Sequence, residues 1–129
     1  MILVDSTVWV DYFNGKSTRQ TDLLDQKLGI EPIVIGDLIY TEVLQGFQKD
    51  PDFEYAKKLL DTLFFQEMLG QSIALASAMN YRLLRRRGVT VRKTIDVMIG
   101  TFCIQNDLAL LHHDRDFDPM VKYLGLNAA

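Results

Sequence analysis

Short, wholly apolar runs alternate along this chain with longer stretches whose apolar residues recur every three or four positions. The first run, "ILV" at residues 2–4, predicts a short buried strand. Ser6 is expected to cap a helix that begins at Thr7 and that Gly15 ends. Ser17 to Leu28 predict a second helix, with Leu23, Leu24 and Leu28 on one face and Gly29 after it. "PIVI" at 32–35 predicts a second buried strand, and Asp37 then offers a cap for the helix "LIYTEVLQGFQ". Pro51 stands near the start of another amphipathic helix, expected to reach about Phe65, and "QEML" after it predicts a short strand before Gly70. A long helix is expected from Ser72 to about Arg87, closed by Gly88. Thr94 offers a cap for a helix reaching about Asn106. "LALLH" at 108–112 predicts the last clear strand, and a short helix is expected over Phe117 to Tyr123.

Strands this short and this apolar, alternating with helices, are the pattern of a parallel sheet covered on both faces. The expectation is a three-layer α/β/α fold with a mainly parallel central sheet. No repeat, low-complexity segment or Pro/Gly/Ser linker interrupts the chain, so residues 1–129 are read as one domain. In such sheets, function collects outside the carboxyl ends of the strands.

Composition narrows the function classes. Apolar residues make up 48% of the 129, enough for a real core. No apolar stretch approaches the roughly 20 residues needed to cross a bilayer. The start has no basic segment, and Asp5 interrupts its only apolar run, so no signal peptide is read and a cytoplasmic protein is expected. The single cysteine, Cys103, lies in an apolar run and is expected to be a buried, unreactive thiol. A net charge of −3 argues against holding nucleic acid by bulk positive charge. It leaves room for a nuclease, whose metal-binding carboxylates make the site itself acidic.

Four carboxylates fall where that chemistry would need them. Asp5 follows the first strand and Asp114 the last; Glu42 lies in the second turn of the helix after "PIVI". Asp96 opens "IDVMIGTFCI", a helix apolar almost all round, where a lone charge is costly unless something pairs with it. Asp5 has a plainer use as a helix cap, but Ser6 makes that use redundant. Gly100, one turn beyond Asp96, leaves room for another element to approach. An all-oxygen ligand set suits Mg²⁺ or Mn²⁺ and suits zinc poorly. Such ions do phosphodiester chemistry by polarising phosphoryl oxygens and lowering the pKa of bound water.

"MILVDSTVWVDYF", "IGDLIYTEVLQGF" and "TIDVMIGTFCIQNDLALLHHDRDFD", in that order, resemble the PIN-domain nucleases, and most of all the VapC toxins of type II toxin–antitoxin pairs. The resemblance covers nearly the whole chain. It implies a PIN-like fold and a Mg²⁺- or Mn²⁺-dependent endoribonuclease that cleaves RNA, with tRNA a family-based guess, to arrest translation and growth. It carries the catalytic acids onto Asp5, Glu42, Asp96 and Asp114, with Asp5, Asp96 and Asp114 as metal ligands. It implies a homodimer and a VapB-like antitoxin. Ser6 matches the family's hydroxyl after the first aspartate, where it would orient Asp5 or a metal-bound water. Asp116 is a second-rank site residue or a cap of the last helix, and Asp118 is expected to face solvent. One departure is His112, where many relatives place Thr or Asn: it supports Asp114, contacts RNA phosphate or merely ends a strand. His113 replaces an Arg found in a subset of the family, which puts substrate affinity in question.

Arg82, Arg85, Arg86 and Arg87, with Arg92 and Lys93, form the one basic concentration. Cations near a helix C-terminus complement its dipole, but Arg86, Arg92 and Lys93 are also candidate RNA contacts. Trp9, Tyr12, Phe13, Phe47, Phe64 and Phe65 are expected mostly in the core, some lining an antitoxin groove. Three rival readings remain. A haloacid-dehalogenase-type phosphotransferase would need Asp where Thr7 stands. A non-catalytic PIN module would be expected to lack one of the acids. An RNA-processing PIN nuclease without antitoxin fits the same residues.

Overall fold

The computed structural model describes residues 1–129 in full. Four strands, β1 (Ile2–Val4), β2 (Ile33–Gly36), β3 (Phe64–Gln66) and β4 (Ala109–Leu111), lie in the order β3-β2-β1-β4. All three pairings are parallel, with Leu3 opposite Val34 and Leu110, and Ile35 opposite Phe65. Every residue of β1 and β2 is buried, so both faces of the central sheet are covered. No helix is long and apolar enough to cross a membrane.

The covering helices form two groups. The first is α1 (Ser6–Phe13), α2 (Arg19–Lys27), α3 (Asp37–Leu44) and α4 (Asp50–Leu60), with α1 packed against α2 and α3, and α3 against α4. The second is α5 (Gln71–Arg86), α6 (Thr94–Gln105) and α7 (Asp118–Leu124), packed on one another. Leu3, Val4, Trp9, Ile35, Ile39, Ile99, Leu110 and Phe117 have essentially no solvent exposure and make up the centre of the core. The α/β class and the parallel sheet expected from the pattern are therefore present. Gly88 ends α5 at φ 79°, a left-handed conformation that a side chain would disfavour. Cys103 is buried, and burial pushes its thiol up to about 12.

Several boundaries differ from the sequence reading. The cap of α1 is Asp5, not Ser6: its carboxylate accepts the Thr7 backbone N–H, and Ser6 is already helical. Helix α2 runs from Arg19 to Lys27 rather than from Ser17 to Leu28, and Thr18 caps it through a reciprocal bond with Thr21. Gly36 holds the cap position of α3, which frees Asp37 to accept the backbone N–H groups of Leu38 and Met68. Lys93 holds the cap position of α6, with no side-chain bond, and Thr94 is already helical. The largest difference is at 61–66. The helix α4 stops at Leu60, because Thr62 turns its hydroxyl onto the Leu59 carbonyl and Phe64 to Gln66 pair with β2. The strand expected at 66–69 lies earlier because aromatic residues suit an edge strand. A 3-10 turn, Arg115–Phe117, precedes α7.

Two glycines set close approaches. Met120 fills the space that Gly100 leaves on α6. A Cβ on Gly36 would collide with Sδ and Cγ of the fully buried Met68. Gly36→Ala is expected to lower stability by about 1–3 kcal/mol, because an overpacked core must shift. Thermal denaturation checks this, and an unchanged melting temperature would show that Met68 moves at no cost.

Candidate active site

All strands are parallel, so their carboxyl ends share one rim, and Asp5 and Asp114 lie just beyond β1 and β4. Asp5 leaves β1 with its backbone N–H on the Leu111 carbonyl at 2.9 Å. It is 2% exposed, and its Oδ2 accepts from the Thr7 backbone at 3.2 Å and from the Thr7 hydroxyl at 2.7 Å. Beyond β4, the Asp114 backbone N–H donates to His112 Nδ1 at 3.3 Å, and Asp114 Oδ1 accepts from the Asp116 N–H at 2.9 Å. Asp96, in the first turn of α6, is 6% exposed.

One oxygen from each of Asp96, Asp114 and Asp116 lies within 4.8 Å of the others, a spacing at which a single cation would be shared. Asp116, placed second by sequence reasoning, is thus in the tightest group, because the 3-10 turn folds it back onto Asp114. Asp5 and Glu42 stand beside this trio rather than in it, yet their charges act on Asp96. Burial pushes Asp96 up to about 6; Lys93 opposes this, while Asp5, Asp114 and Glu42 add to it. Burial also holds Asp5 above the usual carboxylate range, against the hydrogen bonds from Thr7. Burial and then the Asp5 charge raise Glu42, and the Ser6 hydroxyl opposes them.

Two buried oxygens in this cluster, Glu42 Oε1 and Asp96 Oδ2, have no hydrogen-bond partner. Unpaired buried oxygens are costly. A divalent cation at the trio would satisfy Asp96 Oδ2, so the donor set fits a hard metal ion.

The basic residues divide. Arg92 Nη1 lies 3.8 Å from Asp116 Oδ1, and Lys93 Nζ lies 4.0 Å from Asp96 Oδ2 and 3.8 Å from Asp114 Oδ2. Together with Asp96, Arg115 and Asp116 they line a cleft of about 70 Å³. Arg86 is exposed at the end of α5 and makes no ion pair with the acids, while Arg85 and Arg87 lie over Tyr81 and Tyr123. His112 packs on Phe117 with ring centroids 5.0 Å apart, and His113 Nδ1 is 3.5 Å from Asp11 Oδ2. Sequence reasoning overlooked Thr7. Its hydroxyl donates to Asp5 and accepts the His113 N–H at 3.3 Å, tying the two acid-bearing loops together. The signal was a hydroxyl two residues after the aspartate, which Ser6 obscured.

A model of the PIN domain matches residues 2–122. The chain is similar to VapC ribonuclease Mb1587 of Mycobacterium bovis, 30% identical over 131 residues that cover 100% of this chain and 98% of the relative. It is equally similar to Ribonuclease VapC11 of Mycobacterium tuberculosis, at 30% identity and the same coverage. Its fold is like that of a chain in the DNA-bound VapBC structure from Salmonella typhimurium, with a TM-score of 0.77 over 100% of this chain and 98% of that one. At 15% identity that likeness concerns the fold alone.

Proposed function

This chain belongs to the PIN-domain family, and on that premise we propose that it is a Mg²⁺- or Mn²⁺-dependent endoribonuclease, the toxin of a toxin–antitoxin pair. Full-length relatives named as VapC ribonucleases support the reading. The observation that carries it is the carboxylate trio on the strand rim, with a buried, unpartnered oxygen on Asp96. Asp96, Asp114 and Asp116 would hold the metal ion, with Asp5 beside them. The bound ion supplies Lewis acidity at the scissile phosphate and a more acidic attacking water. Glu42, raised by burial and by the Asp5 charge, stands ready to take a proton on the same rim. Thr7 fixes the Asp5 carboxylate, and Ser6 steadies Glu42. Arg92 and Lys93 would meet the RNA backbone. Retention of all four acids stands against a non-catalytic role.

On this reading the protein acts in the cytoplasm as a homodimer, cleaves RNA (tRNA is the substrate class we favour), arrests translation and growth, and is neutralised by a VapB-like antitoxin. Purified protein is expected to cleave RNA with Mg²⁺ and to lose at least about 100-fold in rate with EDTA. Cleavage that survives chelation would remove the metal-nuclease reading. Induced expression without an antitoxin is expected to stop growth, and normal growth at high protein levels would remove the toxin role.

A further inference from the structure

Lys93 occupies a position suited to a cation. Its Nζ lies 4.0 Å from Asp96 Oδ2, the same buried oxygen that lacks a hydrogen-bond partner, and 3.8 Å from Asp114 Oδ2. Arg92 approaches Asp116, the third carboxylate. Two adjacent cations therefore touch every member of the trio. The Lys93 side chain is 57% exposed, while that of Asp96 is 9% exposed, so the ammonium reaches in from solvent to a buried anion. Its distances exceed the roughly 2.7–2.9 Å of a tight charged hydrogen bond. The contact is a loose Coulombic one, readily exchanged. Lys93 also stands at the cap position of α6, three residues before Asp96, so its stem can swing without disturbing the helix.

We propose that Lys93 is a resident counterion of the acid cluster that exchanges with the divalent metal ion. Without metal it offsets part of the charge on Asp96 and Asp114. A metal ion on the same oxygens repels the ammonium, which moves into the groove and is freed for a substrate phosphate. The inference rests on the metal-nuclease reading and deepens it. Lys93 then lowers metal affinity by competition, and metal entry adds a free positive charge to the RNA path. Lys93 is a positioning and binding residue here, with no step of its own in the chemistry.

The test is titration of Mn²⁺ alone into wild type, Lys93→Gln, Lys93→Arg and the α4 control Lys58→Gln, by calorimetry at low salt. Lys93→Gln is expected to bind Mn²⁺ about two- to five-fold more tightly, the range for loss of a partly exposed competing charge. Lys93→Arg should restore the weaker affinity, and Lys58→Gln should match wild type. Metal-free Lys93→Gln should also melt at a lower temperature and gain more from saturating Mn²⁺. Equal or weaker Mn²⁺ binding by Lys93→Gln would overturn the exchange while leaving the metal site intact. Absence of Mn²⁺ binding in every protein would overturn the metal reading and this inference together.

Discussion

Replacing Asp96 by asparagine is expected to abolish RNA cleavage and, at the same time, to stabilise the metal-free protein. Loss of a charged metal ligand should cost about 100- to 1,000-fold or more in rate, because the metal supplies both transition-state charge and the activated water. The stability effect has the opposite sign. Asp96 is raised from 3.8 to about 6, chiefly by burial, so its ionised form is disfavoured in the folded state. For an acid raised in this way, the stabilising contribution is fully present below 3.8 and is lost as pH rises through about 6. Asparagine has no such penalty. After discounting for solvent screening, the gain above neutral pH is roughly 1–2 kcal/mol. The paired measurement is RNA cleavage with Mg²⁺ beside thermal unfolding in EDTA across pH. Asp96→Asn should flatten the decline in stability between pH 4 and pH 7. An active Asp96→Asn enzyme would remove the assigned role, and an inactive, destabilised one would mean that Asp96 holds the fold rather than the metal.

Asp5 should behave differently, because it has two duties. Asp5→Asn and Asp5→Ala are both expected to lose at least about 100-fold in cleavage. They should differ in stability. Asparagine keeps an oxygen for the Thr7 N–H and hydroxyl and removes the buried charge, whereas alanine removes the cap of α1 as well. Loss of such a cap costs about 0.5–2 kcal/mol. The metal-free melting temperature should therefore be higher for Asp5→Asn than for Asp5→Ala. Equal melting temperatures would show that the bonds to Thr7 contribute nothing.

The fold was legible in the sequence at some elements and not at others. "ILV" and "PIVI" are continuous apolar runs, and such runs are read correctly because a strand buried on both faces leaves no other choice of residue. Phe64–Gln66 was misread for the converse reason. It is an edge strand with both phenylalanines exposed, held by pairing with β2 rather than by its own pattern. That the acids gather on one rim was legible in part, because a charge at the start of the apolar helix α6 has no cheap structural explanation. The hierarchy among them was not. Asp116 enters the trio through a 3-10 turn whose hydrogen bond to Asp114 is a matter of three-dimensional register. Asp5 was set apart from capping because Ser6 offered an alternative, yet one carboxylate both caps α1 and faces the cluster. Lys93 was read as an RNA contact, since its reach to Asp96 and Asp114 depends on how the loop before α6 folds back.

Strand order also governs when the cluster can come into being during biosynthesis. The central strand β1 leaves the ribosome first, but its partner β4 spans residues 109–111, and Asp114 and Asp116 follow that strand. A nascent chain that already displays Asp5, Glu42 and Asp96 has nothing to complete the trio until nearly nine-tenths of the 129 residues have been made. For a protein read as an enemy of RNA, this is a form of latency. On the proposed nuclease reading, RNA cleavage has to wait for the last stretch of these 129 residues, because the trio is incomplete before it.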